Sequence, residues 1–279
     1  MGLISFCQKY SLLHSSEKFQ CTLITGVTGG LGHELAYSLA ARSKKMILSG
    51  RVWSTLMQLE HDLKTKFNYK GEIELLPLDL SVSHDFSQIP EFQQEVDLVI
   101  NNAAIGYFHS LTNMDAKEVS SMVMVNTYSL TLLNKHFLDK MTKCGRGQII
   151  NIASMAAYFP VPYYSVYAAT KAFVLSLSVS LDQEVRHQGV RVKALCPGGI
   201  KTEFSRRAGL NCKALEKQFN SFSEAKDIAA EAIYLIDHDK GVIISGLKNR
   251  FSTLLMRLLP LSVSSYFAKK AQEQFLPAK

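Results

Sequence analysis

The sequence predicts an α/β fold in which a doubly wound parallel sheet of about seven strands carries helices on both faces. Short apolar runs rich in β-branched residues alternate with longer helical patterns along the chain, as they do in successive βαβ units. The length of 279 residues, with 47% hydrophobic and 20% charged residues, suits one large globular domain. No internal repeat is visible, which argues against solenoids and propellers.

The pattern assigns each element in turn. The predicted strands cover residues 20–25, 46–49, 72–77, 97–101, 147–154, 190–196 and 242–245. The predicted helices cover residues 31–42, 54–67, 115–142, 164–187 and 224–236, and residues 201–223 form an irregular polar stretch. In such a sheet, ligands bind at the carboxyl ends of the strands.

No domain boundary is visible before about residue 246. We predict one domain over residues 20–246, an N-terminal extension at residues 1–19 and a basic, apolar C-terminal extension at residues 247–279. Pro260 is expected to break or kink any helix in the C-terminal extension. Two interpretations of this extension stay open. It either packs on its own domain or a second subunit, or docks on an anionic membrane or an acidic partner.

Charge and cysteine content narrow the function classes. Residues 240–279 hold seven basic residues and one acidic residue, Glu273, and so carry +6 of the net charge of +7. Because the rest of the chain is nearly neutral, a uniformly basic nucleic-acid binder is not expected. The five scattered cysteines form no C-x-x-C pair, which favours a reducing, cytoplasmic compartment. We find no targeting signal. The uncharged window at residues 147–170 contains Asn151, two prolines and four tyrosines and is not expected to span a membrane.

A glycine-rich loop follows the first predicted strand and opens the first helix. Gly26, Gly30 and Gly32 permit a tight turn and let a phosphate approach the backbone, while the helix start offers unpaired N–H groups. A simple turn is the alternative. The residues expected to bind a dinucleotide pyrophosphate here are Thr25, Gly26, Thr28, Gly29, Gly30, Leu31 and Gly32.

The second predicted strand ends in Gly50-Arg51, without an acidic residue. A carboxylate at this position would bind the ribose hydroxyls and repel a 2′-phosphate, whereas a guanidinium favours the phosphate. Arg51 therefore predicts NADP(H) over NAD(H), unless it is simply a solvated loop charge.

Tyr167 and Lys171 stand four positions apart on a predicted helix and therefore share one face. An adjacent ammonium is expected to lower the pKa of the phenol and make it an acid–base group. A second such pair, Tyr266 and Lys270, occurs in the C-terminal extension, where no strand remains to build a pocket, and we discard it. Ser154, thirteen residues before Tyr167, ends a strand and can donate to a substrate oxygen or simply begin a turn.

Other chemistries lack their motifs. No H-E-x-x-H spacing or other metal-ligand pattern, no G-x-S-x-G and no G-x-x-x-x-G-K-[ST] occurs, so we expect no metal site, hydrolase elbow or triphosphatase loop.

Over about residues 20–245, these motifs and two further segments resemble the classical short-chain dehydrogenase/reductase family, which implies a Rossmann-like fold. The further segments are Asn101-Asn102-Ala103-Ala104, where Ala104 replaces the family's glycine, and Pro197-Gly198-Gly199-Ile200-Lys201-Thr202.

The resemblance also implies roles for several residues. The carboxylate of Asp79, before Leu80, would take the adenine amino group, with Asn102 and Ala103 beside the adenosine. Asn126 would help hold a water for a proton relay to Lys171. The Ile200 backbone and the Thr202 hydroxyl, after Pro197 and Gly198, would bind the nicotinamide carboxamide. Each of these residues could instead have a purely structural role. Asp79 would then be an acid at a helix N-terminus, the asparagines of residues 101–102 would form a turn, and Asn126 would lie on a polar helix face.

The expected activity is NADP(H)-dependent reduction of a carbonyl to a secondary alcohol, or its reverse. Tyr167 would transfer the proton, Ser154 would polarise the oxygen, and Lys171 and Asn126 would support Tyr167. Aromatic residues in 156–164 and 201–223 suggest an apolar or acyl substrate such as a ketone or a 3-ketoacyl group. Arg206 and Arg207 would meet a phosphate of an acyl carrier or water.

A helix-paired homodimer is expected, since the extension puts in doubt the tetramer that the family usually builds at this end. One alternative function is a non-catalytic NADP(H)-binding module that docks on a partner or membrane through its basic C-terminal extension. Another is a different reaction on the same scaffold, such as isomerisation.

Overall fold

The computed structural model describes residues 18–93, 95–211, 216 and 221–276. Most of the predicted N-terminal extension therefore lies outside the described residues. So do Cys212, Phe219 and the end of the C-terminal extension.

Seven parallel strands form one sheet in the order β3-β2-β1-β4-β5-β6-β7. Their bounds are β1 Phe19–Thr25, β2 Ser43–Gly50, β3 Glu72–Pro77, β4 Leu98–Asn101, β5 Gly147–Ile152, β6 Val190–Cys196 and β7 Val242–Ile244. The predicted doubly wound sheet is confirmed. The order reverses between β1 and β4, and this reversal opens a crevice at the carboxyl ends of the strands.

The helices fill both faces of the sheet. Their bounds are α1 Leu31–Ala40, α2 Trp53–Thr65, α3 Ala116–Val123, α4 Leu130–Cys144, α5 Ser165–Val185, α6 Phe204–Arg207, α7 Ala225–Asp237, α8 Leu247–Leu258 and α9 Leu261–Glu273. Alternate strand residues such as Leu23 and Ile24 belong to two separate buried clusters, one under α1, α2 and α7 and the other under α4 and α5.

Three elements differ from the prediction by more than two residues or in kind. β2 begins at Ser43 rather than at residue 46, because Lys45 reaches Glu72 and Glu74 on the neighbouring strand and so stays within the sheet. The helix predicted over residues 115–142 is interrupted by a π-helical turn, Met124–Ser129. Within the stretch predicted to be irregular, Phe204–Arg207 forms a short helix. The helix break predicted at Pro260 is confirmed, because α8 ends at Leu258 and α9 begins at Leu261.

A buried polar cluster joins the central strands to the helices of one face. Asn151 on β5 accepts from the amide of Asn101 on β4 at 2.8 Å and exchanges hydrogen bonds of 3.2 Å with Asn134 on α4. It also donates to Ser178 on α5 at 2.9 Å. All four residues are at most 3% exposed. This cluster sets the positions of α4 and α5 relative to the sheet.

Replacing Asn151→Ala should lower the free energy of unfolding by about 3 kcal/mol, since it leaves several buried polar groups without partners. Urea denaturation measures the change. The control is Asn113→Ala, at an exposed position. A loss at Asn151 no greater than that of the control would contradict the prediction.

Candidate active site

A cavity of about 630 Å³ opens at the carboxyl ends of the central strands. It is lined by the glycine-rich loop, the ends of β2 to β6, the start of α5, α6 and the end of α9. Nearly all predicted site residues line it: Gly26, Thr28, Gly29, Gly30, Leu31, Gly32, Arg51, Asp79, Leu80, Asn102, Ala103, Ser154, Tyr167, Lys171, Pro197, Gly198, Ile200 and Thr202.

Thr25 and Asn126 do not line the cavity, because both are buried behind its wall. Thr25 Oγ1 accepts from the backbone N–H groups of Asn102 and Ala103 at 3.1 and 3.2 Å. The Asn102 side chain donates in return to the carbonyls of Thr25 and Gly26 at 3.1 and 2.9 Å. These bonds join the glycine-rich loop to the loop after β4.

The glycine-rich loop has no room for side chains. A Cβ at Gly26 would lie 2.6 Å from the Ala103 Cα, and one at Gly30 would lie 2.8 Å from the Thr202 methyl group. Both glycines have positive φ angles, 67° and 54°. A Cβ at Gly32 would meet the carbonyl oxygen of Gly26. The loop therefore presents bare backbone at the start of α1, the arrangement that binds phosphate groups.

Arg51 and Asp79 lie at one end of the cavity, and the Arg51 side chain is exposed. The pKa of the Asp79 carboxyl is lowered chiefly by hydrogen bonds from the backbone and side chain of Ser81, and further by the nearby guanidinium of Arg51. One carboxylate oxygen of Asp79 is thus already used in a local turn, at 2.9 Å from the Ser81 nitrogen.

Tyr167 and Lys171 lie on α5 facing the cavity and are 8% and 2% exposed. The Lys171 Nζ lies 5.7 Å from the centre of the Tyr167 ring and donates to the Ile152 carbonyl at 2.7 Å. Burial raises the pKa of Tyr167 to about 12, and a hydrogen bond with Ser154 opposes this only in part. Lys171 is not among the groups that shift this pKa, so its expected effect on the phenol stays a prediction.

Of the two roles that the sequence left open for Ser154, the structure shows the turn, and donation to a substrate oxygen stays a prediction. It caps a short 3₁₀ turn, accepting from the Ala156 nitrogen at 3.1 Å, and it also bonds to Tyr167. Asn126 lies in the π-helical turn. It accepts from the Ile105 nitrogen at 2.9 Å and donates to the Ile105 carbonyl at 2.8 Å and to Thr170 at 3.0 Å. In this structure Asn126 clamps the backbone beside the cavity.

Three particular contacts at the cavity were not predicted from the sequence. Tyr164 stacks on Tyr167 with ring centres 4.2 Å apart. A Cβ at Gly29 would lie 3.4 Å from an Arg207 guanidinium nitrogen, so this side chain reaches over the glycine-rich loop. Phe275 lines the cavity and packs edge-on against Phe108 at 6.5 Å. The contacts of Arg207 and Phe275 depend on how distant segments fold together, and no local sequence pattern reports them. The spacing of three residues between Tyr164 and Tyr167 was a local signal for their contact.

The buried lysine predicts a pH dependence of stability. Burial lowers the pKa of Lys171 from 10.5 to about 8, so the unfolded chain binds more protons between these two pH values and stability rises with pH across the window. The free energy of unfolding of the wild type minus that of Lys171→Met should therefore rise by up to about 3 kcal/mol from pH 8 to pH 10.5. Urea denaturation at a series of pH values measures this difference. Lys117→Met, at an exposed position, serves as the control and should show no such rise. A flat or falling difference for Lys171 would contradict the prediction.

Comparisons with known proteins agree with this geometry. The chain is 25% identical to the very-long-chain 3-oxoacyl-CoA reductase of Mus musculus over 261 residues, which cover 91% of this chain and 81% of that protein. It is 26% identical to the protein of the same name from Homo sapiens, over 90% of this chain and 83% of that one.

Among solved structures, a short-chain dehydrogenase from Sphingobium yanoikuyae in complex with NADPH superposes with a TM-score of 0.76 at 28% identity. The match covers 84% of this chain and 92% of that one. The family profile described as short chain dehydrogenase matches residues 20–212. This match and the parallel sheet with its glycine-rich loop show that the chain is an oxidoreductase of the short-chain dehydrogenase/reductase family.

Proposed function

We propose that the protein reduces a carbonyl group to a secondary alcohol with NADPH, and catalyses the reverse reaction with NADP⁺. The observation that carries the proposal is one cavity that joins the bare backbone of the glycine-rich loop to the buried Tyr167, Lys171 and Ser154. The complex of the Sphingobium yanoikuyae relative with NADPH supports the choice of cofactor.

The residues of the cavity fit a dinucleotide phosphate. The bare backbone of Gly29 and Gly30 at the start of α1 would bind the pyrophosphate, and Arg207 lies close enough to Gly29 to contribute a positive charge. Arg51, at the far end of the cavity, would pair with the 2′-phosphate of the adenosine. Asp79, Leu80, Asn102 and Ala103 would surround the adenosine. Pro197, Gly198, Ile200 and Thr202 would hold the nicotinamide.

When bound, the reduced nicotinamide supplies the hydride for the carbonyl carbon. Tyr167 would donate its phenolic proton to the carbonyl oxygen, and the pKa of about 12 keeps that proton in place at neutral pH. The Ser154 hydroxyl, already bonded to Tyr167, would donate to the same oxygen as negative charge develops. Lys171 would bind the nicotinamide ribose. Asn126 would hold the Ile105 segment in place and support proton supply to Lys171.

The substrate we propose is an apolar ketone or a 3-ketoacyl thioester. Much of the cavity wall away from the glycine-rich loop is apolar, formed by Ile105, Phe159, Val161, Tyr164, Phe204, Leu210, Phe222 and Phe275. The names of the two mammalian relatives point to acyl thioesters as well. We also propose a helix-paired homodimer, as in the expectation drawn from the family. Contact with a membrane or an acidic partner through the C-terminal segment is part of the same proposal.

Replacing Tyr167→Phe should lower kcat for ketone or 3-ketoacyl reduction at least about a hundredfold, because the general acid is lost, while NADPH binding persists. The decrease in NADPH absorbance measures turnover, and the change in NADPH fluorescence measures cofactor binding. Tyr266→Phe, in the exposed second Tyr/Lys pair, is the matched control and should keep full activity.

Undiminished turnover by Tyr167→Phe would refute the assigned chemistry. Tight NADPH binding by a wild-type protein that reduces no ketone, aldehyde or 3-ketoacyl thioester would favour the non-catalytic module instead.

Replacing Arg51→Gln should raise KM for NADPH about ten- to a hundredfold and leave KM for NADH nearly unchanged, because only the 2′-phosphate loses a charged partner. Steady-state kinetics with both cofactors measure the ratio. Arg146→Gln removes an arginine that pairs with Glu95, away from the cavity, and should change neither constant. An equal effect of Arg51→Gln on both cofactors would show that Arg51 does not recognise the phosphate.

A further inference from the structure

Two helices at the end of the chain expose an unusual number of large apolar side chains. We call α8 and α9, Leu247–Glu273, the C-terminal helix pair. Leu247 is 80% exposed, Leu258 75%, Phe251 71% and Leu261 70%. Five further members of the pair are exposed as well: Leu254, Leu255, Val263, Tyr266 and Phe267. Contiguous exposed apolar surface of this kind marks an interaction site.

The burial pattern of the C-terminal helix pair is the reverse of the pattern expected for helices that pack on their own domain. The residues buried against the domain are small or polar, namely Thr253, Ser264 and Ala268. A helix that stabilises its own core buries leucines and exposes polar residues. Met256 and Leu259 are half-buried, whereas the nine exposed apolar side chains point away from the domain. Their surface is therefore available to a partner outside the domain.

Charge accompanies the apolar surface. The helix pair carries Lys248, Arg250, Arg257, Lys269 and Lys270 against Glu273 alone, which is a net charge of +4. Lysine and arginine side chains can lay their methylene stems along an apolar surface and extend their charges outward. Apolar side chains flanked by cations are the pattern of helices that lie at an anionic lipid surface.

The dimensions of the helices favour lying on a bilayer over crossing it. α8 and α9 have 12 and 13 residues, and Pro260 separates them. Helices of this length reach about 20 Å, short of the roughly 30 Å hydrocarbon core. No helix in the described part of the chain has the length and apolar character that a transmembrane span requires.

A second copy of this chain fits the surface less well. In a two-fold symmetric pair the same patch occurs on both sides, so the cations of one copy would face those of the other with few carboxylates to offset them. Anionic lipid headgroups complement these cations, and the acyl region can bury the leucines, Phe251 and Phe267. Charge complementarity thus selects the lipid surface.

We propose that the C-terminal helix pair docks the protein on the surface of an anionic membrane, with its apolar side chains in the headgroup and upper acyl region. This docking does not rest on the proposed reaction. It selects one partner among those left open by the basic, apolar composition of the segment.

Flotation of the full-length protein with vesicles tests the proposal. The protein should float with vesicles of phosphatidylcholine and phosphatidylserine, and more weakly with phosphatidylcholine alone. The double substitution Leu258→Ser and Leu261→Ser should lower vesicle affinity at least about tenfold, because it removes apolar area that docking would bury in the lipid. Lys269→Gln with Lys270→Gln should lower it about tenfold on the anionic vesicles only, and added salt should mimic this effect.

Two matched controls lie elsewhere on the surface. Leu111→Ser replaces a leucine that is 55% exposed, and Lys117→Gln replaces an exposed lysine. Both should float like the wild type. The thermal unfolding midpoint of each variant verifies that it is folded, and NADPH oxidation separates failure of docking from failure of the reaction. None of the four substituted residues of the helix pair lines the cavity.

Three outcomes would overturn the proposal. A folded wild type that floats with neither vesicle has no lipid-docking surface. A dimer that dissociates on Leu258→Ser and Leu261→Ser, without vesicle binding, makes the patch an interface between copies. Equal losses for Leu111→Ser and the helix-pair variants would mean that binding is a general property of exposed leucines.

Discussion

The site depends on the close approach of two backbone segments at the point where the strand order reverses. The loop after β1 touches the loop after β4 so closely that Gly26 tolerates no Cβ beside Ala103. Thr25 and Asn102 hold this contact by exchanging hydrogen bonds between side chain and backbone in both directions. Because α1 starts from one of these loops, the same contact aims its N-terminus into the cavity. The glycine-rich loop and the wall that carries Tyr167 are thereby held at fixed positions in the same cavity.

At the other end of the cavity, burial raises the pKa of the Tyr167 phenol. Tyr167 packs under Tyr164 and bonds to Ser154, while the Lys171 ammonium is held by the Ile152 carbonyl. Ile152 ends β5, and Ser154 follows two residues later. One strand end therefore orients both groups that flank the phenol. A phenol that keeps its proton at neutral pH suits proton donation, which is the direction that carbonyl reduction requires.

The resemblance to the short-chain dehydrogenase/reductase family supplied several of the predicted cavity residues, such as Asp79 and Ile200. Periodicity and glycine spacing were enough to predict the sheet, most of the helices and the glycine-rich loop. These features depend on local patterns, such as alternating apolar residues in the strands and the glycines before α1. The π-helical turn around Asn126 was not predicted, because residues 115–142 were interpreted as one long helical pattern and a single π turn has no residue signature of its own. Likewise, the sequence showed that Tyr167 and Lys171 share a helix face but not that burial would dominate the phenol pKa.

The remaining differences concern contacts between distant segments. Arg207 was assigned to an acyl-carrier phosphate or to water, but it lies over Gly29, about 180 residues earlier in the chain. The helix break at Pro260 was predicted, because proline acts locally. The direction in which the apolar residues of α8 and α9 face was not predicted. Apolar residues on a helix normally face a core, and here they face away from the domain.

The chain segment after α9 ties the far C-terminal region to the cavity. The Phe275 carbonyl accepts from the Asn211 nitrogen at 2.9 Å, and its ring closes the wall beside Phe108. Shortening the chain ahead of Phe275 would therefore enlarge the substrate pocket. Substitutions at this end of the protein would change the shape of the cavity and so which molecules fit it. A truncation intended only to aid crystallisation would alter the cavity as well.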